Sequence, residues 1–184
     1  MLSIKSKSNT IIIKKSKFIV NTYCVFNELD ALSIINDTKL KYKDANHNCY
    51  AYIIDNIKRF NDDGEPSGTA GIPILDILEK NNLNYSLVII TRYFGGIKLG
   101  ANGLIRAYSK CTKETLDIIE LIKGKTIEIE FDYKDEKYIN NIIKKEDIIE
   151  SSYKEKVKYI ANVKDIDLDK LNNYKIIKDI FIKV

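Results

Sequence analysis

The sequence predicts an α+β protein of two domains, and three observations carry that reading. Across residues 1–122, runs dense in β-branched and aromatic residues alternate with stretches of helical periodicity, the pattern of a sheet covered by helices. Near residue 124 the texture changes and restarts in the order β-α-β-β-α-β, that of a small ferredoxin-like module over 123–184. A length of 184 residues is enough for two small cores. No proline-bearing or glycine-rich linker separates the halves, which predicts packed rather than tethered domains.

Each element follows from local pattern. Ser8–Ile13 reads as a strand, Lys14–Lys15 as a break, and residues 16–26 as a longer strand in which Phe18, Val20 and Thr22 alternate with Ile19, Asn21 and Tyr23. Asn27 is placed to cap a helix over Glu28–Asn36, with Ala31, Leu29, Leu32 and Ile35 as its apolar face. NCYAYIID is a strand, and KRFNDDG reads as the turn that closes it. Thr69–Lys80 suits a helix with Ile72, Leu75 and either Ile77 or Leu78 inward. Tyr85–Phe94 is the most strand-like run, stopped by Gly95 and Gly96. A helix over Asn102–Ile119 follows, with Leu104, Ala107, Tyr108, Cys111 and Leu116 for packing. In the second domain KTIEIEFDY is an alternating strand and EKYINNIIKKED a helix. IIESSYKEKVKYIANV is a strand pair turning near Lys154, LDKLNNYKII a short helix or turn, and IFIKV a closing strand.

Composition narrows the class. The chain is 45% apolar and 30% charged with a net charge of +4, which is ordinary for a globular protein and only weakly favours anionic partners. The three cysteines, Cys24, Cys49 and Cys111, form no Cys-x-x-Cys pair, which predicts buried thiols in a reducing, cytoplasmic setting. The N-terminus lacks a secretory leader pattern and no apolar run is long enough to span a bilayer, so no membrane partner is expected.

Two segments carry unusual chemistry. FNDDGEPSGTAGIPIL holds both prolines and three of the eight glycines. Asn61 to Gly64 is a strong turn signal, and the helix start at Ser67, Gly68 and Thr69 reads either as an anion cradle of free amides or as a structural cap. Asp62, Asp63 and Glu65 are spaced closely enough to hold Mg2+ or simply to be solvated. His47 is the single histidine; with Asp62 or Asp63 as orienting partner it is a candidate acid-base group, and otherwise a hydrogen-bonded loop residue. One histidine with Cys49 nearby is an incomplete zinc set, so no transition-metal site is expected. The second segment, RYFGGIKLGANGLIRAY, matches neither the Walker nor the dinucleotide fingerprint. It brings Arg92, Lys98 and Arg106 together with Tyr93, Gly95 and Gly96, a set suited to phosphates and stacked bases.

At these residues the chain resembles the YigZ/IMPACT family. The resemblance is carried by Ala45, His47, Cys49, Ala51 and Tyr52; by Asp62 to Gly71 with Pro73; and by Arg92 to Gly96, Lys98, Leu99, Gly100, Gly103, Leu104, Arg106, Ala107 and Tyr108. Lys15 to Val20 fits the family's opening, and Asn102 stands where the family pairs a second glycine with Gly103, in what reads as a loop. The resemblance implies a first domain like domain 2 of ribosomal protein S5, an α/β sandwich, and a second like the last domain of elongation factor G, here with a weak final helix. It further implies a setting in translation, with RNA or ribosomal components as partners and no established reaction or cofactor. The leading expectation is therefore a non-catalytic, translation-associated regulator that binds RNA or a ribosomal component. A small-molecule hydrolase or phosphate-handling enzyme using His47 with Asp62 or Asp63, and a protein-interaction scaffold, are the alternatives.

Overall fold

The computed structural model describes residues 1–183, and its contacts divide the chain into two units, Met1–Ile119 and the segment from Glu120 onward. The first unit contains β1 (Leu2–Ile4), β2 (Lys7–Ile13), β3 (Ser16–Cys24), α1 (Glu28–Lys41), β4 (His47–Ile54), β5 (Ile57–Asn61), α2 (Gly71–Lys80), β6 (Ser86–Tyr93) and α3 (Ala101–Thr115). Its sheet runs β2-β3-β6-β4-β5 with every pairing antiparallel. The central strand β6 is buried along almost its whole length, as its β-branched sequence requires of a strand covered on both faces.

Helices α2 and α3 pack on one face, where Phe18, Val20, Cys49, Ala51, Val88 and Ile90 meet Ile74, Leu78, Leu104, Ala107 and Tyr108. Helix α1 lies on the other. Asn48 and Tyr52 point away from that core, and their side chains bond Tyr42 and Glu28 at the two ends of α1. Asn27 caps α1 through its side chain, as predicted. The β2–β3 turn is the two-residue pair Lys14–Lys15, both left-handed at φ 46° and 66°, a conformation that hairpins with two-residue loops demand and that lysine adopts only at a cost.

Several expectations are corrected. Helix α1 is longer than the pattern suggested, and it buries Ala31, Ile35 and Thr38 while Leu29 is 80% and Leu32 43% exposed. Helix α2 starts at Gly71 and turns Ile72 outward, burying Pro73, Ile74, Ile77 and Leu78. The segment read as a turn after NCYAYIID forms β5 first, paired with β4. Gly71 is needed where α2 meets that strand, because a Cβ there would lie 2.9 Å from the Phe60 ring and 3.0 Å from the Asn61 nitrogen. Asn102 occupies the first turn of α3, not a left-handed loop, so helical geometry accommodates it without glycine.

The second unit comprises β7 (Ile118–Phe131), α4 (Glu136–Ile142), β8 (Ile148–Tyr153), β9 (Val157–Lys164), α5 (Asp165–Leu168) and β10 (Tyr174–Lys183). Its strands lie in the order β10-β7-β9-β8, all antiparallel, which is ferredoxin-like. The core joins Ile127, Ile129, Phe131, Val157, Tyr159 and Ala161 to Ile139 and Ile143. The alternate residues of β7 and β9 carry polar pairs instead: Glu128 with Lys158 at 3.0 Å and Thr126 with Asn162 at 2.8 Å. The final helix is a single turn that ends at Leu168, and β10 begins at Tyr174, taking in the last four residues of the stretch read as helix or turn. The predicted closing strand includes Val184, which lies outside the described residues.

Burial separates core from decoration. Ile90→Ala should lose about 2–5 kcal/mol of stability through the cavity it leaves. Leu29→Gln, on the open face of α1, should stay within about 0.5 kcal/mol. Denaturant melts of the two variants check the contrast.

Candidate functional site

The unusual residues converge at one end of the first sheet. Antiparallel register sets Phe18 beside Arg92 and Arg92 beside His47, so the three form a row across β3, β6 and β4 on the face that α2 and α3 cover. The turn after β5 is built by Asn61, whose carboxamide oxygen accepts the Asp63 N–H at 2.7 Å, and by left-handed Asp63 and Gly64. That turn lowers Glu65 onto the row.

Arg92 is 5% and Glu65 7% exposed. The guanidinium Nη1 donates to Glu65 Oε1 at 2.6 Å, and the Tyr108 hydroxyl of α3 donates to the same oxygen at 2.8 Å. Nη2 donates to Ser16 Oγ at 3.3 Å, while Nε is buried with no protein partner. The guanidinium carbon sits 5.6 Å from the Phe18 ring centroid and 5.7 Å from that of Phe94. Cys49 Sγ lies 3.0 Å from the Asp62 carbonyl and 3.4 Å from the Tyr108 oxygen, and its single S–H serves one of them at a time.

His47 Nδ1 is 2.9 Å from the Asp63 carbonyl, which only accepts, so that nitrogen carries the proton. Its Nε2 faces Glu65 Oε2 at 3.8 Å, beyond direct hydrogen-bond reach.

The paired aspartates have backbone roles. Asp62 Oδ1 accepts the amides of Ala70 and Gly71 at 3.0 and 2.8 Å, and Oδ2 accepts that of Gly68 at 2.8 Å. Ala70 at the start of α2 offers no side-chain cap, and a carboxylate eight residues upstream supplies it. Asp63 Oδ2 accepts the Asn48 amide and its Oδ1 binds Lys39, both at 2.6 Å.

This geometry changes the expected roles. Of the residues proposed to form an anion cradle, Gly68 gives its amide to Asp62, Thr69 is buried with its hydroxyl on the Pro66 carbonyl, and Ser67 is exposed. Arg92, expected to meet phosphates, is enclosed. Five of the six carboxylate oxygens of Asp62, Asp63 and Glu65, considered above for Mg2+, already accept from amides, Lys39, Tyr108 or Arg92; the sixth, Glu65 Oε2, faces His47. Among the described residues no group of three histidine, cysteine or acidic side chains is arranged to hold a metal. His47 does not bond either aspartate side chain: its contact is the Asp63 carbonyl.

Outside this cluster stand the rest. Tyr93 points to the opposite face, its hydroxyl on Asp44 at 2.9 Å and Lys17 Nζ 5.5 Å from its ring centroid. Gly95 donates its amide to Ser16 Oγ, and a Cβ there would lie 2.0 Å from the Lys15 carbonyl. Gly96, Lys98 and Arg106 are exposed. Ser16, Phe18 and Tyr108 carry no local signal as site residues; only the pairing of β3 with β6 and the packing of α3 bring them to Arg92, whereas Phe94 follows it by two residues on the same side.

The fold and cluster define a two-domain α+β protein in which a sequence motif is folded into a buried polar network. The chain belongs to the Impact N-terminal domain family, whose profile matches residues 14–116. It is similar to the IMPACT family member YvyE of Bacillus subtilis (strain 168), 48% identical over 122 residues, covering 65% of this chain and 56% of that protein. It is also similar to the IMPACT family member YigZ of Escherichia coli (strain K12), 35% identical over 109 residues, covering 56% and 53%. The chain thus spans about half the length of these relatives. A crystal structure of a hypothetical protein matches it with a TM-score of 0.63 and 26% identity, covering 92% of this chain and 87% of the other.

Two outcomes follow from the cluster. Glu65→Ala should cost about 3–5 kcal/mol, because it strands a buried guanidinium, and Tyr108→Phe should cost less because the ion pair remains; thermal or urea unfolding distinguishes them. Burial also raises the Cys111 thiol from 9.0 to about 12 and raises Cys49 in the same direction. Below pH 9 both thiols are protonated in folded and unfolded chains alike. Above it the unfolded chain releases protons that the folded one keeps, so stability should fall as pH rises from 9 toward 12. Cys49→Ala/Cys111→Ala should flatten that decline in melts across this range.

Proposed function

We propose that the protein is a translation-associated regulator that binds RNA or a ribosomal component and has no reaction of its own. One observation carries this reading: the acidic, imidazole and guanidinium groups of the motif are each engaged within the protein, while its neighbouring cations stand exposed. Lys14, Lys15, Lys17, Lys98 and Arg106 are exposed, and among the described residues none of them forms an ion pair. Exposed cations of this kind meet phosphates and release counterions. A net charge of +4 is modest for an RNA binder. The setting in translation is supported by the resemblance of the two domains to parts of ribosomal protein S5 and elongation factor G.

The hydrolase reading loses support, since both aspartates that would orient His47 are held by amides and by Lys39. The protein-partner reading has one observation in its favour. Leu29, Leu32 and Leu40 are exposed on a shared side of α1, an apolar stripe at helical spacing.

Ultraviolet crosslinking in cells, with sequencing of the bound RNA, tests the leading reading. The native protein should recover RNA above the background of an unrelated protein, and Lys98→Ala/Arg106→Ala should recover several-fold less. Background recovery by the native protein overturns it.

A further inference from the structure

We infer that the ligand is single-stranded RNA, gripped at the corner formed by the β2–β3 turn and the Phe94–Gly96 segment, with an unpaired base stacked on Phe94. This rests on the RNA-binding reading above and names the class of RNA and the contact. The corner is assembled by the buried network. Ser16 Oγ binds both Arg92 Nη2 and the Gly95 amide, and the Gly95 backbone abuts the Lys15 carbonyl, so the lysine turn and the glycine segment are fixed to each other.

Phe94 lies at the centre of that corner. It is 45% exposed, yet it is not loose: its amide donates to the Asn46 side chain at 2.7 Å, and the Arg92 guanidinium stands 5.7 Å from its ring centroid. An aromatic ring anchored by a buried cation and partly open to solvent is a preformed platform, with little ordering left to do on binding. Beside it, Gly96 has nothing within 4 Å of where a Cβ would stand, which leaves room for a base or sugar. Lys14, Lys15 and Lys98 are exposed and supply positive charge for the backbone, while Lys17 stands over Tyr93 on the other face. The left-handed φ of both turn lysines is strain held at this same corner.

Lysines alone would suit duplex and single strand equally. The exposed ring decides between them, because a duplex keeps its bases within the stack, whereas an unpaired base lies on an aromatic face. Tyr93, the aromatic the sequence offered for stacking, is turned to the other face and bonded to Asp44. Tyr133, Tyr138 and Tyr153 of the second unit are also exposed, but what holds them is a hydroxyl bond to the Lys154 carbonyl, the Lys170 carbonyl or Tyr159 rather than a guanidinium beside the ring.

The full-length chain is titrated with a fluorescent unstructured RNA of twelve nucleotides and with the same sequence as a duplex, by anisotropy. The single strand should bind at least about fivefold more tightly, and Phe94→Leu should remove most of that margin, the scale of one base–aromatic contact. Phe94→Tyr keeps a ring over Arg92 and should retain it, which separates stacking from loss of fold. Lys14→Gln/Lys15→Gln/Lys98→Gln should weaken both RNAs and lower the salt slope for the single strand by about 2. The chain has no tryptophan, so Phe94→Trp places one indole at the platform, and its emission should be quenched by the single strand. Equal binding of strand and duplex, or an emission that saturating RNA leaves unchanged, overturns the stacked-base assignment while leaving RNA binding intact. Failure of the native chain to bind either RNA overturns both.

Discussion

The first domain depends on one buried ion pair. Removing Arg92 and Glu65 from water is costly, and their attraction offsets that cost only with further hydrogen bonds to complete the geometry. Tyr108 completes it from α3, Ser16 from the start of β3, and Phe18 and Phe94 flank the guanidinium with their rings. Three separate stretches of chain, the Glu65 loop, β3 and α3, thus answer to one arginine. Cys49 joins through Tyr108, and the loop that carries Glu65 is held in turn by the two aspartates before it.

Those aspartates show how one acidic loop can serve the backbone rather than a ligand. Asp62 gives α2 the cap that Ala70 lacks, and Asp63 ties the same turn to β4 and α1 through Asn48 and Lys39. With Gly71 letting the helix approach β5, the motif becomes a rigid strand-to-helix corner. Its acids and Gly71 each meet a protein partner in that geometry. Lys14, Lys15, Lys98 and Arg106 stand exposed outside it.

Much of the fold was legible from local pattern. The β6 run, the Asn27 cap and the alternating strands of the second domain each follow from spacing or side-chain chemistry acting over a few residues. Faces were harder. Leu29 and Ile72 fit an inward stripe as well as their neighbours do, and only the tilt of α1 and α2 on the sheet turned them outward. Strand β5 was hidden because KRF carries no alternation, and it forms because β4 offers it a free edge. The site followed the same division. His47, Asp62, Asp63, Glu65 and Arg92 stood out by composition, but the partner each one takes depends on register and loop geometry between segments far apart in sequence.

The sequence by itself determined which residues were unusual, where the turns and caps fall, and that two α+β domains follow one another, because these are set by backbone preferences and short-range periodicity. The tertiary structure decided what the unusual residues do. Whether a guanidinium meets solvent or a carboxylate is a question of burial and distance, and no local pattern encodes either. Antiparallel register placed Arg92 between Phe18 and His47, the loop lowered Glu65 onto it, and Phe94 was left partly open beside the enclosed guanidinium.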